Sequence, residues 1–294
     1  MPEWATFAGF ALVVTAGLLL LSHASRSALS GGTDAESEAA PPSPADLGEP
    51  TSDTFGRSDP GEETITLPKS GVEFRPRRGP PADGIGEPGP LPDASTASLL
   101  ANVAVSQGIF AVVLLAGAWY AEIPAWAFGL APDSLGFEAV AIGVGLGIAL
   151  YAANEVGAAA GARFGLGVGE GERLRSALAP ETAGGWALLL LVVLPVIAGF
   201  EELLFRGALV GVVAAGYGVS PWLLAAVSSA AFALGHGAQG PLGVVVTGLL
   251  GFVLAAAFVV TGSLLVVAVA HYLINALEFV VHEGLGVEWP PADG

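Results

Sequence analysis

The sequence predicts an all-α fold: a polytopic membrane helical bundle with about six core transmembrane helices plus an N-terminal anchor helix. Two observations support this prediction. The chain of 294 residues is 53% hydrophobic and only 13% charged, whereas soluble domains are about a quarter charged. Apolar runs long enough to cross a bilayer also recur along most of its length. We therefore expect a multi-pass protein of the cell membrane, with the lipid bilayer as its surroundings.

From residue 98 onward the sequence is almost continuously apolar and divides into six candidate spans. The third is too long for a simple span, and Pro195 and Gly199 within it predict a helix break just before Glu201. The fourth is short and ends beside His236. Short or broken spans beside polar residues are where membrane proteins often place their sites. The six spans are Leu99–Tyr120, Phe137–Ala160, Trp186–Val213, Pro221–Leu234, Leu242–Val260 and Leu264–Val281.

The apolar run at the N-terminus, Trp4–Leu21, has two interpretations. Small residues follow it, as after a cleaved signal peptide, but the basic residue Arg26 comes after the run rather than before it. We therefore favour a retained anchor helix. The composition then changes to Pro, Gly, Ser and acidic residues, which predicts a disordered linker. The predicted regions are an anchor or signal (1–23), an acidic linker (24–97), a membrane-embedded domain (98–283) and a short tail (284–294).

Charge and cysteine content exclude several function classes. The net charge is −17, from 27 acidic and 10 basic residues, so the chain lacks the basic surface that nucleic acids require. We expect no nucleic-acid partner. The chain has no cysteine, which excludes disulfides, thiol catalysis and thiolate metal sites. An acidic, lysine-poor composition of this kind is typical of proteins from salt-loving organisms.

Three ionisable residues lie within the long third span: Glu201, Glu202 and Arg206. Each costs several kcal/mol at membrane depth, about 2.5–3.5 on insertion scales, so their presence indicates a function. Residues four apart share a helix face, whereas neighbours point about 100° apart. Glu202 and Arg206 can therefore form an ion pair, and Glu201 is left free to act on a ligand or on water.

Two further segments carry polar residues on apolar helices. Phe232-Ala-Leu-Gly-His236 ends the short fourth span, and His271-Tyr-Leu-Ile-Asn275 places a histidine and an asparagine on one helix face. Hydrolysis of a peptide bond needs a base for water, donors for the developing oxyanion and a proton for the leaving amine. Glu201 with His236 could activate water, and His271 with Asn275 could supply the donors.

These three motifs, in this order and spacing, resemble the CPBP family, the CAAX-protease and bacteriocin-processing (Abi) intramembrane endopeptidases. The resemblance covers roughly residues 100 to 283. It implies that Glu201 and His236 activate water and that His271 and Asn275 form an oxyanion site. Glu202, Arg206 and Phe232 are supporting residues of the same motifs. The implied substrate is a membrane-associated protein or peptide.

Several alternatives stay open at this stage. Carboxylate and imidazole groups also form zinc sites, so Glu201, His236 and His271 are the ligands if a metal is required, although we favour no cofactor. His282-Glu283 does not complete a His-Glu-x-x-His motif and is interpreted as part of a tail. A catalytically silent scaffold or immunity-type protein of the same fold is the main functional alternative. A transporter with an acidic ion path is a weaker one, because no internal repeat is evident.

Overall fold

The computed structural model describes residues 1–38, 65–66, 73–74, 96–163 and 169–287. Residues Met1–Gly31 and Ala94–Gly294 form one compact unit, and Gly32–Asp93 form another. In the second unit, Ile65–Thr66 pairs with Glu73–Phe74 in a short antiparallel ladder. Most of the predicted linker, 24–97, lies outside the described residues, so its predicted disorder stays a prediction.

The membrane unit is all-α, as the sequence predicts. Among the described residues, six helices are long and apolar enough to cross a membrane, and a seventh, shorter apolar helix has 15 residues. The chain is thus a multi-pass membrane protein. In chain order the helices are α1 (Trp4–Glu38), α2 (Thr96–Tyr120), α3 (Phe137–Arg163), α4 (Gly169–Leu178), α5 (Ala183–Tyr217), α6 (Pro221–Gly235), α7 (Gly240–Thr261) and α8 (Leu264–Gly284). Short 3₁₀ turns occupy Ala125–Phe128, Pro132–Ser134 and Gly237–Gln239.

The ends of these helices follow from local sequence signals. The Thr182 hydroxyl caps α5 by accepting a hydrogen bond from the Gly185 N–H, and Ser263 caps α8 in the same way through Val266. Pro221 begins α6, where its missing N–H costs nothing. Gly262 ends α7 with a φ of 63°, a left-handed conformation that favours glycine.

The predicted helix break before Glu201 was wrong: α5 continues without interruption. A wider π-helical segment, Leu189–Val193, precedes Pro195, and a second one, Leu203–Val212, follows the glutamates. Proline has no N–H to donate within the helix. The wider π hydrogen-bond pattern accommodates this missing bond, so the helix continues instead of breaking. Both glutamates therefore lie at the end of a regular helical stretch, directly before the second π segment.

Helix α1 is packed into the membrane unit rather than standing apart from it. Phe7, Ala11 and Val14 of α1 are buried in the same apolar core as residues of α2, α5, α6, α7 and α8. The ring of Phe7 packs edge-to-face on Phe128, with centroids 5.4 Å apart. The helix continues past residue 23, the predicted end of the anchor, to Glu38. The predicted domain boundaries otherwise stay a prediction.

Glycines bring α3 and α8 close together. A Cβ on Gly143 would lie 2.7 Å from the Val266 carbonyl oxygen, and one on Gly147 would lie 3.0 Å from that of Ala270. Side chains larger than hydrogen would force the two helices apart at these positions, as at other small-residue contacts in membranes. This contact fixes α8, and with it His271, against the rest of the bundle.

Candidate active site

Glu202 and Arg206 form the buried ion pair that their spacing predicts. Arg206 Nη1 lies 2.6 Å from Glu202 Oε1, and both residues are fully buried. The same carboxylate oxygen accepts a hydrogen bond from His271 Nδ1 at 2.7 Å. Arg206 Nη2 donates to the Gly251 carbonyl oxygen of α7 at 2.8 Å. The ion pair therefore joins three helices: Glu202 of α5 contacts His271 of α8, and Arg206 of α5 contacts Gly251 of α7.

Phe232 lies at the centre of the site and touches residues of all three motifs. The guanidinium carbon of Arg206 lies 4.6 Å from the centre of its ring, a cation–π contact. Its ring centre is 4.5 Å from that of His236 and 6.0 Å from that of His271. Because Phe232 is almost fully buried, its ring is one fixed apolar surface that both histidines contact.

Glu201 has different surroundings from Glu202. It is 6% exposed, and its Oε2 has no hydrogen-bond partner among the described residues. The nearest basic atom is His271 Nε2 at 3.7 Å, beyond hydrogen-bond range. A carboxylate without a strong partner keeps its lone pairs available for water or a substrate proton.

His236 lies just beyond the last residue of α6, and its tautomer follows from its contacts. Its Nδ1 lies 2.8 Å from the Phe232 carbonyl oxygen. A carbonyl oxygen only accepts, so Nδ1 must carry a proton, and the Nε2 of a neutral ring then presents a lone pair. His236 is half-buried, which leaves that nitrogen reachable. The ring can thus accept a hydrogen bond from water.

His271 is held more tightly than the sequence suggests. Because a carboxylate accepts, the contact with Glu202 Oε1 assigns a proton to its Nδ1 and turns Nε2 towards Glu201. Asn275, one turn further along α8, is half-buried. The structure therefore places Asn275 on the predicted helix face, and it reveals the link from His271 to both glutamates, which the motif spacing did not predict.

The hypothetical zinc set does not converge in this arrangement. Within the part of the chain that the structure describes, the donor atoms of Glu201, His236 and His271 do not all lie within 4.8 Å of one another. Another set does: Glu155, Glu278 and His282. The interpretation of His282 and Glu283 as an uninvolved tail was wrong, since His282 contacts Glu155 and Glu283 pairs with Arg175. Their helix, α8, simply continues further than the predicted span.

Two supporting residues were not predicted from the sequence. Gly251 supplies a carbonyl to Arg206, and a Cβ there would lie 2.9 Å from the Phe232 ring. The hydroxyl of Ser22 in α1 donates to the carbonyl oxygen of Gly235 at 2.5 Å, directly before His236. Gly251 acts through its own carbonyl oxygen and Ser22 through a hydrogen bond to the carbonyl oxygen of Gly235, so no motif of side-chain types marks either contact.

Comparison with known protein families agrees with this geometry. The family model described as "Type II CAAX prenyl endopeptidase Rce1-like" matches residues 183–277. No curated protein and no solved structure matches the chain. The match contains Glu201, His236, His271 and Asn275 as well as the buried ion pair, and it confirms the resemblance that the three motifs indicate. Residues 183–277, and with them the candidate site, are therefore similar to the type II CAAX prenyl endopeptidase family that this model describes.

Proposed function

We propose that this protein is an intramembrane endopeptidase in which Glu201 and His236 activate a water molecule for attack on a peptide carbonyl. One observation carries the proposal: two adjacent buried carboxylates have divided surroundings. Among the described residues, Glu202 Oε1 contacts both Arg206 and His271, although its Oε2 has no hydrogen-bond partner, whereas Glu201 Oε2 has only a 3.7 Å contact with His271 Nε2 and no hydrogen bond. A purely structural ion pair requires only one of the two glutamates, so the second is available for chemistry.

In the proposed reaction, Glu201 acts as the general base. His236 Nε2 accepts a hydrogen bond from the water, which is oriented because Nδ1 is fixed on the Phe232 carbonyl. As the water oxygen forms a bond to the peptide carbon, its proton passes to Glu201. The C–N bond then breaks, and the same proton is delivered to the leaving nitrogen. The products are a carboxylic acid and an amine.

His271 and Asn275 are the proposed donors to the oxyanion. Asn275 offers its amide N–H groups, and His271 offers Nε2. Because Nδ1 already donates to Glu202, this role requires His271 to carry protons on both ring nitrogens. Glu202, Arg206 and Phe232 are positioning residues that hold His271 and His236 in place.

The proposed substrates are membrane-associated proteins or peptides that reach a site within the helix bundle. The matched family is named for prenylated CAAX ends, and a substrate of that class fits this proposal without being required by it. A metal has no step in the proposed reaction. A catalytically silent protein of the same fold makes the opposite prediction for the experiment that follows.

The test compares membranes from cells that produce the wild-type protein, Glu201→Gln or Glu138→Gln. Glu138 is an exposed glutamate at the start of α3 and serves as the matched control. Sequencing of protein N-termini and C-termini should reveal new termini with the wild-type and control proteins, and these termini should be lost with Glu201→Gln. Identical termini for all three proteins, at equal protein levels, would contradict the proposal and favour a silent scaffold.

A further inference from the structure

A second polar cluster lies outside the proposed active site, where α3, α4 and α8 meet. Glu155 of α3 and Glu278 of α8 both face His282 of α8: His282 Nε2 lies 2.9 Å from Glu155 Oε1 and 3.8 Å from Glu278 Oε2. All three residues are only partly exposed. Their donor atoms lie within 4.8 Å of one another, the one such set among the described residues. The cluster thus presents three convergent metal-type ligands.

The hydrogen bonding of His282 prepares its Nε2 for a ligand. Its Nδ1 lies 2.8 Å from the Val287 carbonyl oxygen, which only accepts, so Nδ1 carries a proton. Nε2 lies 2.9 Å from Glu155 Oε1, a hydrogen bond that requires a proton on Nε2, and a metal ion bound there would replace that proton. Metal-binding histidines typically donate their other N–H to a backbone carbonyl in this way, which fixes the tautomer and the ring orientation.

The second carboxylate is held in a similar manner. Asn154 Nδ2 donates to Glu278 Oε1 at 2.6 Å, and Arg175 Nη1 donates to Glu278 Oε2 at 3.0 Å. Each carboxylate oxygen has two lone pairs, so Oε2 keeps one for a cation. Hydrogen-bonded carboxylates of this kind are common around metal sites.

Charge in the cluster also favours a cation. Glu155, Glu278 and Glu283 are three carboxylates, and Arg175 is the guanidinium that contacts two of them. Two negative charges stay unbalanced when His282 is neutral. Glu155 contacts His282 but not Arg175, the guanidinium that pairs with Glu278 and Glu283. A divalent ion bound between Glu155 and His282 would balance both charges in a partly buried place.

We propose that Glu155, Glu278 and His282 bind a zinc ion. Zinc bonds of about 2.0–2.1 Å in a tetrahedron place ligand atoms about 3.3 Å apart. The two measured separations from Nε2, 2.9 and 3.8 Å, lie on either side of that value, so small side-chain shifts complete the geometry. An imidazole ligand selects zinc and related transition metals over magnesium and calcium. Water would supply the fourth ligand.

The proposed ion ties α3 to α8 one turn beyond Asn275. It would stabilise the helix that carries two of the proposed active-site residues without taking part in their chemistry. This inference does not depend on the proposed protease activity. It also means that zinc found in the purified protein would not by itself identify a catalytic metal.

The test is zinc binding to the purified full-length protein in detergent, after chelator treatment, by equilibrium dialysis and elemental analysis. We expect about one zinc per chain in the wild-type protein and in His271→Ala. His282→Ala and Glu155→Gln should each weaken binding at least about 100-fold, because even the loss of an indirect contact to a metal ligand costs about 10- to 100-fold. Glu172→Gln, at an exposed glutamate of α4, is the matched control and should still bind one zinc per chain.

Thermal unfolding separates zinc binding from loss of structure. Without zinc, His282→Ala and Glu155→Gln should unfold in the same cooperative manner as the wild-type protein. Added zinc should raise the unfolding midpoint of the wild-type protein, His271→Ala and Glu172→Gln, but not that of His282→Ala or Glu155→Gln, since a ligand stabilises the state that binds it. Absence of zinc from the wild-type protein would overturn the proposal. Zinc that is lost in His271→Ala but kept in His282→Ala would overturn it as well, by assigning the ion to the proposed active site.

Discussion

Glu201 and Glu202 are neighbours in the chain, yet the fold gives them opposite surroundings. Glu202 is fully buried and accepts hydrogen bonds from Arg206 and His271 through one oxygen. Glu201 is slightly exposed, and its Oε2 lies 3.7 Å from His271 Nε2 without a hydrogen bond. The helix produces this difference because adjacent residues point about 100° apart.

This comparison shows how one of two adjacent buried carboxylates can be left without a hydrogen bond from any described residue. The fixed pair of Glu202 and Arg206 orients His271, and His271 in turn faces Glu201. Glu202 therefore has the structural role in the proposed site, and Glu201 is the carboxylate that stays without a hydrogen bond among the described residues. The four predictions below test that division, from the largest expected effect to the smallest.

The largest expected effect is the loss of activity in Glu201→Gln with little loss of stability. Positioned general-base catalysis contributes about 100- to 10,000-fold, so the turnover rate should fall by that factor. Glu202→Gln should lower both activity and the unfolding midpoint, because it weakens the contacts with Arg206 and His271. The measurements are substrate turnover and thermal unfolding of both variants in detergent. Equal losses of stability in the two variants would contradict the proposal that Glu202 is structural and Glu201 is not.

Removal of Arg206 should mainly affect stability. Arg206→Ala leaves Glu202 as a buried charge without its guanidinium, and breaking a buried pair typically costs about 3–5 kcal/mol. The double variant Glu202→Gln/Arg206→Met removes both charges, so it should recover part of that loss. The free energy of unfolding in detergent measures both effects. A fully stable but inactive Arg206→Ala protein would instead place Arg206 among the residues that act on the substrate.

Most of the fold could be predicted from the sequence, because apolar length and helix period determine membrane helices directly. The observed Phe137–Gly161 differs by one residue from the second predicted span, Phe137–Ala160. The exception is the break expected at Pro195. Proline predicts a disturbed hydrogen-bond ladder, but it does not reveal that a π segment can absorb the disturbance.

The side-chain pairs of the site were predictable only where both partners lie on one helix. The ion pair of Glu202 and Arg206 follows from a spacing of four residues. The contact between His271 and Glu202 joins residues 69 positions apart, and no local pattern encodes it. The role of Gly251 was likewise hidden, because its contribution is a carbonyl oxygen and the absence of a side chain.

Asn275→Ala should reduce turnover without a matching change in substrate affinity. The loss of one oxyanion donor typically costs about 2.7–4 kcal/mol of transition-state stabilisation, or about 100- to 1,000-fold in kcat. KM should stay nearly constant, since the donor acts on charge that develops during the reaction. Asn102→Ala, at an exposed asparagine of α2, is the matched control and should keep wild-type kinetics. A rise in KM with unchanged kcat would make Asn275 a substrate-binding residue instead.

The smallest expected effect tests the support beneath the ion pair. A Cβ on Gly251 would lie 2.9 Å from the Phe232 ring and 3.3 Å from Arg206 Nη2. Both groups must shift in Gly251→Ala, and overpacking of this kind typically costs about 1–3 kcal/mol. The helix preference for alanine over glycine offsets up to about 1 kcal/mol of that cost. Because Phe232 also contacts His236 and His271, we expect a moderate loss of activity together with the loss of stability.

Gly145→Ala in α3 is the control for Gly251→Ala, because a Cβ at Gly145 meets no atom within 4 Å. It should leave the free energy of unfolding unchanged or raise it slightly. Thermal unfolding and turnover of the two alanine variants in the same detergent give the comparison. If both variants behave alike, the close contact of α7 with Phe232 and Arg206 does not support the site. If only Gly251→Ala loses stability and activity, the backbone of α7 at Gly251 supports the site together with the ion pair of Glu202 and Arg206.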